Sequence, residues 1–146
     1  MTKKTFSKTL SANDVGATGG HQGGILIPKS ETELLAFLPP LEPEVKNPDA
    51  WFECVDEVGV LRRFRFVYYN NRLHDQNGTR NEYRITYMTR YFREMSAREG
   101  DTFEISRDEG EPNYSIRVIQ KAAGPVEPAE EQVFRVKISS SWHRVH

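Results

Sequence analysis

Leu61-Arg62-Arg63-Phe64-Arg65-Phe66-Val67-Tyr68-Tyr69 decides the fold class, because its side chains change character at nearly every second position. Extended backbone sends successive side chains to opposite faces. Phe64, Phe66 and Tyr68 therefore fall on one face, and Arg63, Arg65, Val67 and Tyr69 on the other. This is the signature of a strand with one face in a core, read here over residues 60–70. Residues 51–58 read as the preceding strand, with Gly59 turning between the two. Downstream, Tyr83, Ile85 and Tyr87 alternate with Arg84, Thr86 and Met88 over residues 83–88. Similar runs lie on either side, the first at residues 5–10 and the last at 133–138, giving about seven strands in all. Ser30-Glu31-Thr32-Glu33 has capping-box spacing and predicts a short helix that ends before Pro39-Pro40. A second helical turn or two is expected over residues 89–98, with Gly100 as its stop. So much strand excludes a helical bundle, and so little helix excludes a parallel α/β sheet. A closed or nearly closed barrel also protects the edges of short strands.

The chain has 146 residues, 37% hydrophobic and 28% charged, which fits one packed domain spanning residues 1–146. Its longest apolar runs fall far short of the roughly 20 residues of a membrane helix. Met1-Thr2-Lys3-Lys4 is not followed by the apolar middle of a secretory signal. Cys54, the lone cysteine, cannot form an internal disulfide. These features lead to the expectation of a cytoplasmic protein with no membrane association.

The net charge of −1 conceals blocks. Residues 61–93 carry eight arginines against two acids, and residues 1–30 four lysines against one acid. Residues 31–60 and 94–131 are strongly acidic. Two readings stand: charge scattered unevenly over a soluble surface, or two basic blocks folded onto one face that meets a polyanion. Arginine in the central block favours the second, because its guanidinium fork grips phosphate or guanine with two parallel hydrogen bonds.

Asn77-Gly78-Thr79-Arg80-Asn81-Glu82-Tyr83-Arg84 is the most informative stretch for chemistry. Asn77-Gly78 reads as a turn, after which Arg80, Glu82 and Arg84 share a face if the segment is extended. In a major groove, arginine pairs with guanine O6 and N7, and a carboxylate accepts from the cytosine amino group. The alternative is a cross-strand ion-pair ladder, worth little at a surface. The Gly-rich loop over residues 11–23 lacks the spacing of a nucleotide-binding loop. Its length points to a function, with Asn13, His21 and Gln22 among its donors and acceptors, against the alternative of a plain surface connection. No zinc signature joins the histidines to Cys54. Glu44-Val45-Lys46 with Asp49 nearby superficially matches a magnesium-dependent nuclease, but the aspartate follows where that arrangement needs it earlier.

Two segments carry a family resemblance. Lys8-Thr9-Leu10-Ser11-Ala12-Asn13-Asp14, then Gly16-Ala17-Thr18-Gly19-Gly20-His21-Gln22 and Ile27-Pro28, resemble the N-terminal effector/DNA-binding domains of EcoRII-type restriction endonucleases. Tyr68-Tyr69-Asn70, Thr79-Arg80-Asn81-Glu82 and Arg84-Ile85-Thr86 continue the match in the same order. Gly78 and Tyr83 stand where the family has lysines, and Leu26 where it has a tyrosine. The resemblance implies a mainly β DNA-binding pseudobarrel, a fold also seen in plant auxin-response-type transcription factors. Here it is expected as a seven-stranded open pseudobarrel with two short helices. It implies a non-catalytic module that binds double-stranded DNA of CCWGG type by two arms in the major groove. The chain would then be the N-terminal part of a larger restriction enzyme, with magnesium belonging to a separate nuclease domain of the same polypeptide. Carried over by position, Lys8, Asn13, His21 and Gln22 serve the first arm and Arg80, Asn81, Glu82 and Arg84 the second; no cofactor, metal or catalytic residue is expected here. A self-contained nuclease and a protein-interaction barrel remain the alternatives.

Overall fold

A computed structural model describes residues 3–16, 24–121 and 142–145. The chain runs β1 (Lys3–Thr9), β2 (Ile25–Ile27), α1 (Thr32–Phe37), β3 (Asp49–Val55), β4 (Leu61–Tyr69), α2 (Asn71–His74), β5 (Glu82–Thr86), α3 (Thr89–Glu94), β6 (Thr102–Asp108), β7 (Tyr114–Ile119) and β8 (Trp142–Arg144). All eight strands join one sheet in the order β2-β5-β4-β3-β7-β6-β1-β8. Every pairing is antiparallel except β3 with β7, which meet only at Cys54–Tyr114 and Val55–Ser115. The sheet curls until its two edges meet: the Trp142 indole N–H on β8 donates to the Leu26 carbonyl on β2 at 3.4 Å. This is an open pseudobarrel, with eight strands and three short helices among the described residues where seven and two are expected.

Alternation places the core as the sequence predicts. Phe64, Phe66 and Tyr68 of β4 are buried with Phe52 and Cys54 of β3, Ile85 of β5, and Phe103 and Ile105 of β6. Phe103 packs edge-on to Phe92 at 5.8 Å and to Trp142 at 6.1 Å, tying α3 and β8 into one aromatic cluster. Truncating such a ring to alanine costs about 3–5 kcal/mol.

Four local expectations are corrected. Ser30 does not cap α1: its carbonyl accepts the Thr32 N–H at 2.9 Å within a turn, and the helix starts without a side-chain cap. The alternation breaks at Tyr87, whose φ of +67° ends β5, so Tyr87 is 64% exposed and Met88 takes the buried place. Helix α3 ends at Glu94, with Ser96 at φ +54° just beyond its C-cap, well before Gly100, whose N–H donates to the Leu10 carbonyl. The polar loop after β4 contains α2, which the sequence reading missed. The strand expected at residues 133–138 lies outside the described residues, and β8 is an element not anticipated.

Candidate nucleic-acid interface

The second loop is built on Asn70, a fully buried residue at the end of β4. Its side-chain oxygen accepts the Asn47 N–H at 2.6 Å, and its amide donates to the Pro43 and Val45 carbonyls at 3.1 and 2.9 Å. The Asn70 N–H in turn donates to the Asn47 side chain at 3.0 Å. A buried amide so fully bonded offsets its desolvation and leaves the chain one exit direction. The loop then closes at a neck: the Arg80 N–H donates to Asn71 Oδ1 at 2.8 Å, and the Arg72 N–H to the Arg80 carbonyl at 3.0 Å. Gly78 fits against this neck because a Cβ there would lie 2.2 Å from the Asn71 carbonyl oxygen.

Beyond the neck, Arg80, Glu82 and Arg84 stand on one face, as i, i+2 spacing requires. Glu82 Oε2 accepts from Arg80 Nη2 at 3.2 Å and from Arg84 Nε. Partial burial alone would raise the Glu82 pKa, but the hydrogen bonds from Arg84 and Arg80 outweigh it and hold the carboxyl below the ordinary glutamate value. The ion pairs run along one segment and not across strands, so the face that Arg80, Glu82 and Arg84 share is paired internally. The bond to Glu82 uses only the Nε–H of Arg84, and a guanidinium has five N–H donors in all. A carboxylate has about four acceptor sites, so the ladder retains capacity for further hydrogen bonds.

The tyrosines before the loop brace it. The Arg80 guanidinium lies over the Tyr69 ring, 3.7 Å from its centroid. Tyr68 stacks on Tyr83 at 4.2 Å and donates its hydroxyl to Asn81 Oδ1 at 2.5 Å. Sequence reading overlooked Tyr69 and Asn70 as bracing residues; the signal was Tyr68-Tyr69-Asn70 ending an otherwise alternating strand.

The first loop joins the same region at both of its ends. Strand β2 pairs with β5, with Leu26 opposite Arg84. Gly24 has φ +101°, and a Cβ there would lie 1.9 Å from the Ile85 carbonyl oxygen. At the other end, Gly16 sits beside Thr89, which opens α3 three residues after β5. Of the expected first-loop contacts, Asn13 is exposed, while His21 and Gln22 lie outside the described residues. The Lys8 side chain is buried, and its ammonium is ion-paired with Asp14. Lys8 shares the inward face of β1 with Phe6 and, beyond the strand, Leu10, and Asp14 folds back to pair with it there.

Among the described residues, the two basic blocks do not merge into one continuous cationic face. Arg62 pairs with Asp56 and Glu94, Arg65 with Asp49, Arg80 and Arg84 with Glu82, and Arg90 with Glu94. Strands β1 and β4 are also separated in the sheet by β6, β7 and β3. Glu44 is exposed in the loop before β3, and Lys46 pairs with Asp75 at 2.5 Å. Among the described residues, no three of His, Cys, Asp or Glu come together as a metal site.

Comparison with known proteins places this architecture. The family model described as restriction endonuclease EcoRII, N-terminal, matches residues 2–103, which include both loops. The chain belongs to the EcoRII N-terminal family. A curated relative, the type II restriction enzyme EcoRII of Escherichia coli, is 40% identical over 88 residues, covering 56% of this chain and 20% of the enzyme. This EcoRII N-terminal chain thus spans about a fifth of the length of that relative. Among solved structures, the Arabidopsis FUS3–DNA complex is similar with a TM-score of 0.58, over 80% of this chain and 96% of that one. At 22% identity that likeness is one of fold.

Proposed function

We propose that this EcoRII N-terminal domain binds double-stranded DNA at a specific sequence of CCWGG type, gripping the major groove between its two loops. The observation that carries the reading is the Arg80–Glu82–Arg84 ladder on β5 and its approach, paired with β2, into which the first loop leads. Arg80 pairs with guanine, Glu82 accepts from the cytosine amino group, and Arg84 contacts guanine or phosphate. Asn81 holds the loop through Tyr68, and Asn13, His21 and Gln22 supply first-arm contacts. The domain is non-catalytic and acts in the cytoplasm as specificity or effector module. It partners a magnesium-dependent nuclease domain of the same polypeptide. Support comes from family membership, from the EcoRII relative and from the DNA complex that shares the fold.

The test is binding of labelled CCWGG and scrambled duplexes by the purified chain. Arg80→Ala is expected to cost about 1–3 kcal/mol on the CCWGG duplex and to relax discrimination. Equal loss on both duplexes makes Arg80 a phosphate anchor, and no binding at low salt returns the protein-interaction reading. Supercoiled plasmid with magnesium should stay intact; cleavage abolished by Glu44→Ala would establish the nuclease alternative.

A further inference from the structure

Lys8 and Asp14 are among the most deeply buried charged side chains of the chain, 6% and 7% exposed. Both lie where the first loop leaves the barrel. Lysine and aspartate are almost never buried unless paired, and here Asp14 Oδ2 receives the Lys8 ammonium together with the Ser11 N–H at 2.9 Å. Ser11 reciprocates, its hydroxyl oxygen accepting the Asp14 N–H at 3.1 Å. Residues 11–16 are thereby wound into a compact turn, in which Val15 N–H donates to the Ser11 carbonyl and Gly16 N–H to the Asn13 carbonyl. Leu10, just before the turn, is tied on both sides: its N–H donates to the Asp101 carbonyl at 2.7 Å and its carbonyl accepts the Gly100 N–H at 2.9 Å. The turn ends at Gly16, against the first residue of α3.

We infer that the Lys8–Asp14 ion pair is a positioning device, which sets the direction in which residues 11–16 leave the barrel toward the start of α3. Lys8 then acts on bound DNA through the loop and touches no phosphate. The geometry stands by itself; the consequence for DNA rests on the function proposed above. Removing one member of a buried pair strands the other charge, whereas replacing both with apolar groups of similar volume is tolerated. A phosphate-contacting lysine behaves differently, because its loss weakens all duplexes alike and flattens the salt dependence of binding by about 0.9 in slope.

Lys8→Met, Asp14→Asn, which keeps a side-chain oxygen for the Ser11 N–H, and the double variant separate these roles through two readouts. The first is amide hydrogen exchange of residues 11–16 without DNA. Each single variant should speed exchange there about tenfold or more while leaving the amides of β4 unchanged, and the double variant should restore protection. The second is binding to CCWGG and scrambled duplexes across a salt series. Each single variant should lose about tenfold on the CCWGG duplex and less than about twofold on the scrambled one, at unchanged salt slope, with recovery in the double variant. Unchanged exchange at residues 11–16 overturns the inference, as does a flattened slope with equal loss on both duplexes in Lys8→Met. If the unaltered chain binds neither duplex, the DNA reading fails, and the exchange data still decide whether the pair anchors the loop.

Discussion

Arg80 lies over the ring of Tyr69, its guanidinium carbon 3.7 Å from the ring centroid, while its Nη2 reaches Glu82. One arginine is thus held both from below and along the strand. A long side chain so restrained has lost its rotamer entropy before it meets a ligand, which favours recognition of one geometry. Tyr69→Leu should weaken binding to the CCWGG duplex by roughly three- to tenfold, the range of an exposed to half-desolvated cation–π contact. Tyr69→Phe keeps the ring face and should stay within about twofold of the parent. Fluorescence anisotropy on both variants and on Arg80→Ala checks this; a double variant no weaker than Arg80→Ala alone shows that the ring acts through the arginine.

Glu82 supplies a pH test whose sign is fixed. Its folded pKa lies below the ordinary value of 4.5, so the stabilisation it contributes is fully present above that value. It is lost as pH falls through the lower, folded value. Glu82→Gln cannot titrate, and the acid limb of its stability curve should fall less steeply between about pH 5 and pH 3 than that of the parent. Denaturant midpoints at a series of pH values measure this, and an unchanged acid limb would show that the carboxylate is not held by the two arginines.

Asn70 is a structural prediction. Asn70→Ala leaves the Asn47 N–H and the Pro43 and Val45 carbonyls without their partner. At about 1–3 kcal/mol for each buried group left unpaired, a loss on the order of 3 kcal/mol is expected once some groups find water. Urea unfolding at constant m-value checks it.

Two glycines with similar backbone should respond differently. Gly24 and Gly59 both have positive φ, +101° and +84°, so a side chain at either is strained. That strain costs about 1–2 kcal/mol. Gly59→Ala meets nothing else within 4 Å and should cost only the strain. At Gly24 the new methyl would also lie 1.9 Å from the Ile85 carbonyl oxygen, so Gly24→Ala must displace β2 from β5. The expected outcome is a markedly larger drop in melting temperature for Gly24→Ala than for Gly59→Ala, accompanied by weaker duplex binding.

The pattern of Arg63 through Tyr69 was legible because a strand's two faces depend only on the parity of position along the chain. The same arithmetic put Arg80, Glu82 and Arg84 together. It broke where backbone conformation changed without a compositional mark: Tyr87 adopts a left-handed φ that glycine normally marks, and α2 forms because the closed neck around Asn71 and Arg80 holds four residues in a turn of helix. Ser30 had the right spacing for a cap, but the turn closed by the Glu31 N–H on the Pro28 carbonyl puts Glu31, not Ser30, at the N-cap position.

By itself, then, the order of residues determined the strand class, the aromatic core and which polar side chains share a face, since these follow from local geometry repeated every two positions. Only the tertiary structure decided that Asp14 covers Lys8, that Arg62 reaches Glu94 and Arg65 reaches Asp49, and that Tyr69 carries Arg80. The physical reason is that an ion pair needs its partner within about 4 Å, and a cation over a ring within about 6 Å. For Arg65 and Asp49, sixteen positions apart, that closeness is created by strand pairing and leaves no trace in the spacing of either residue.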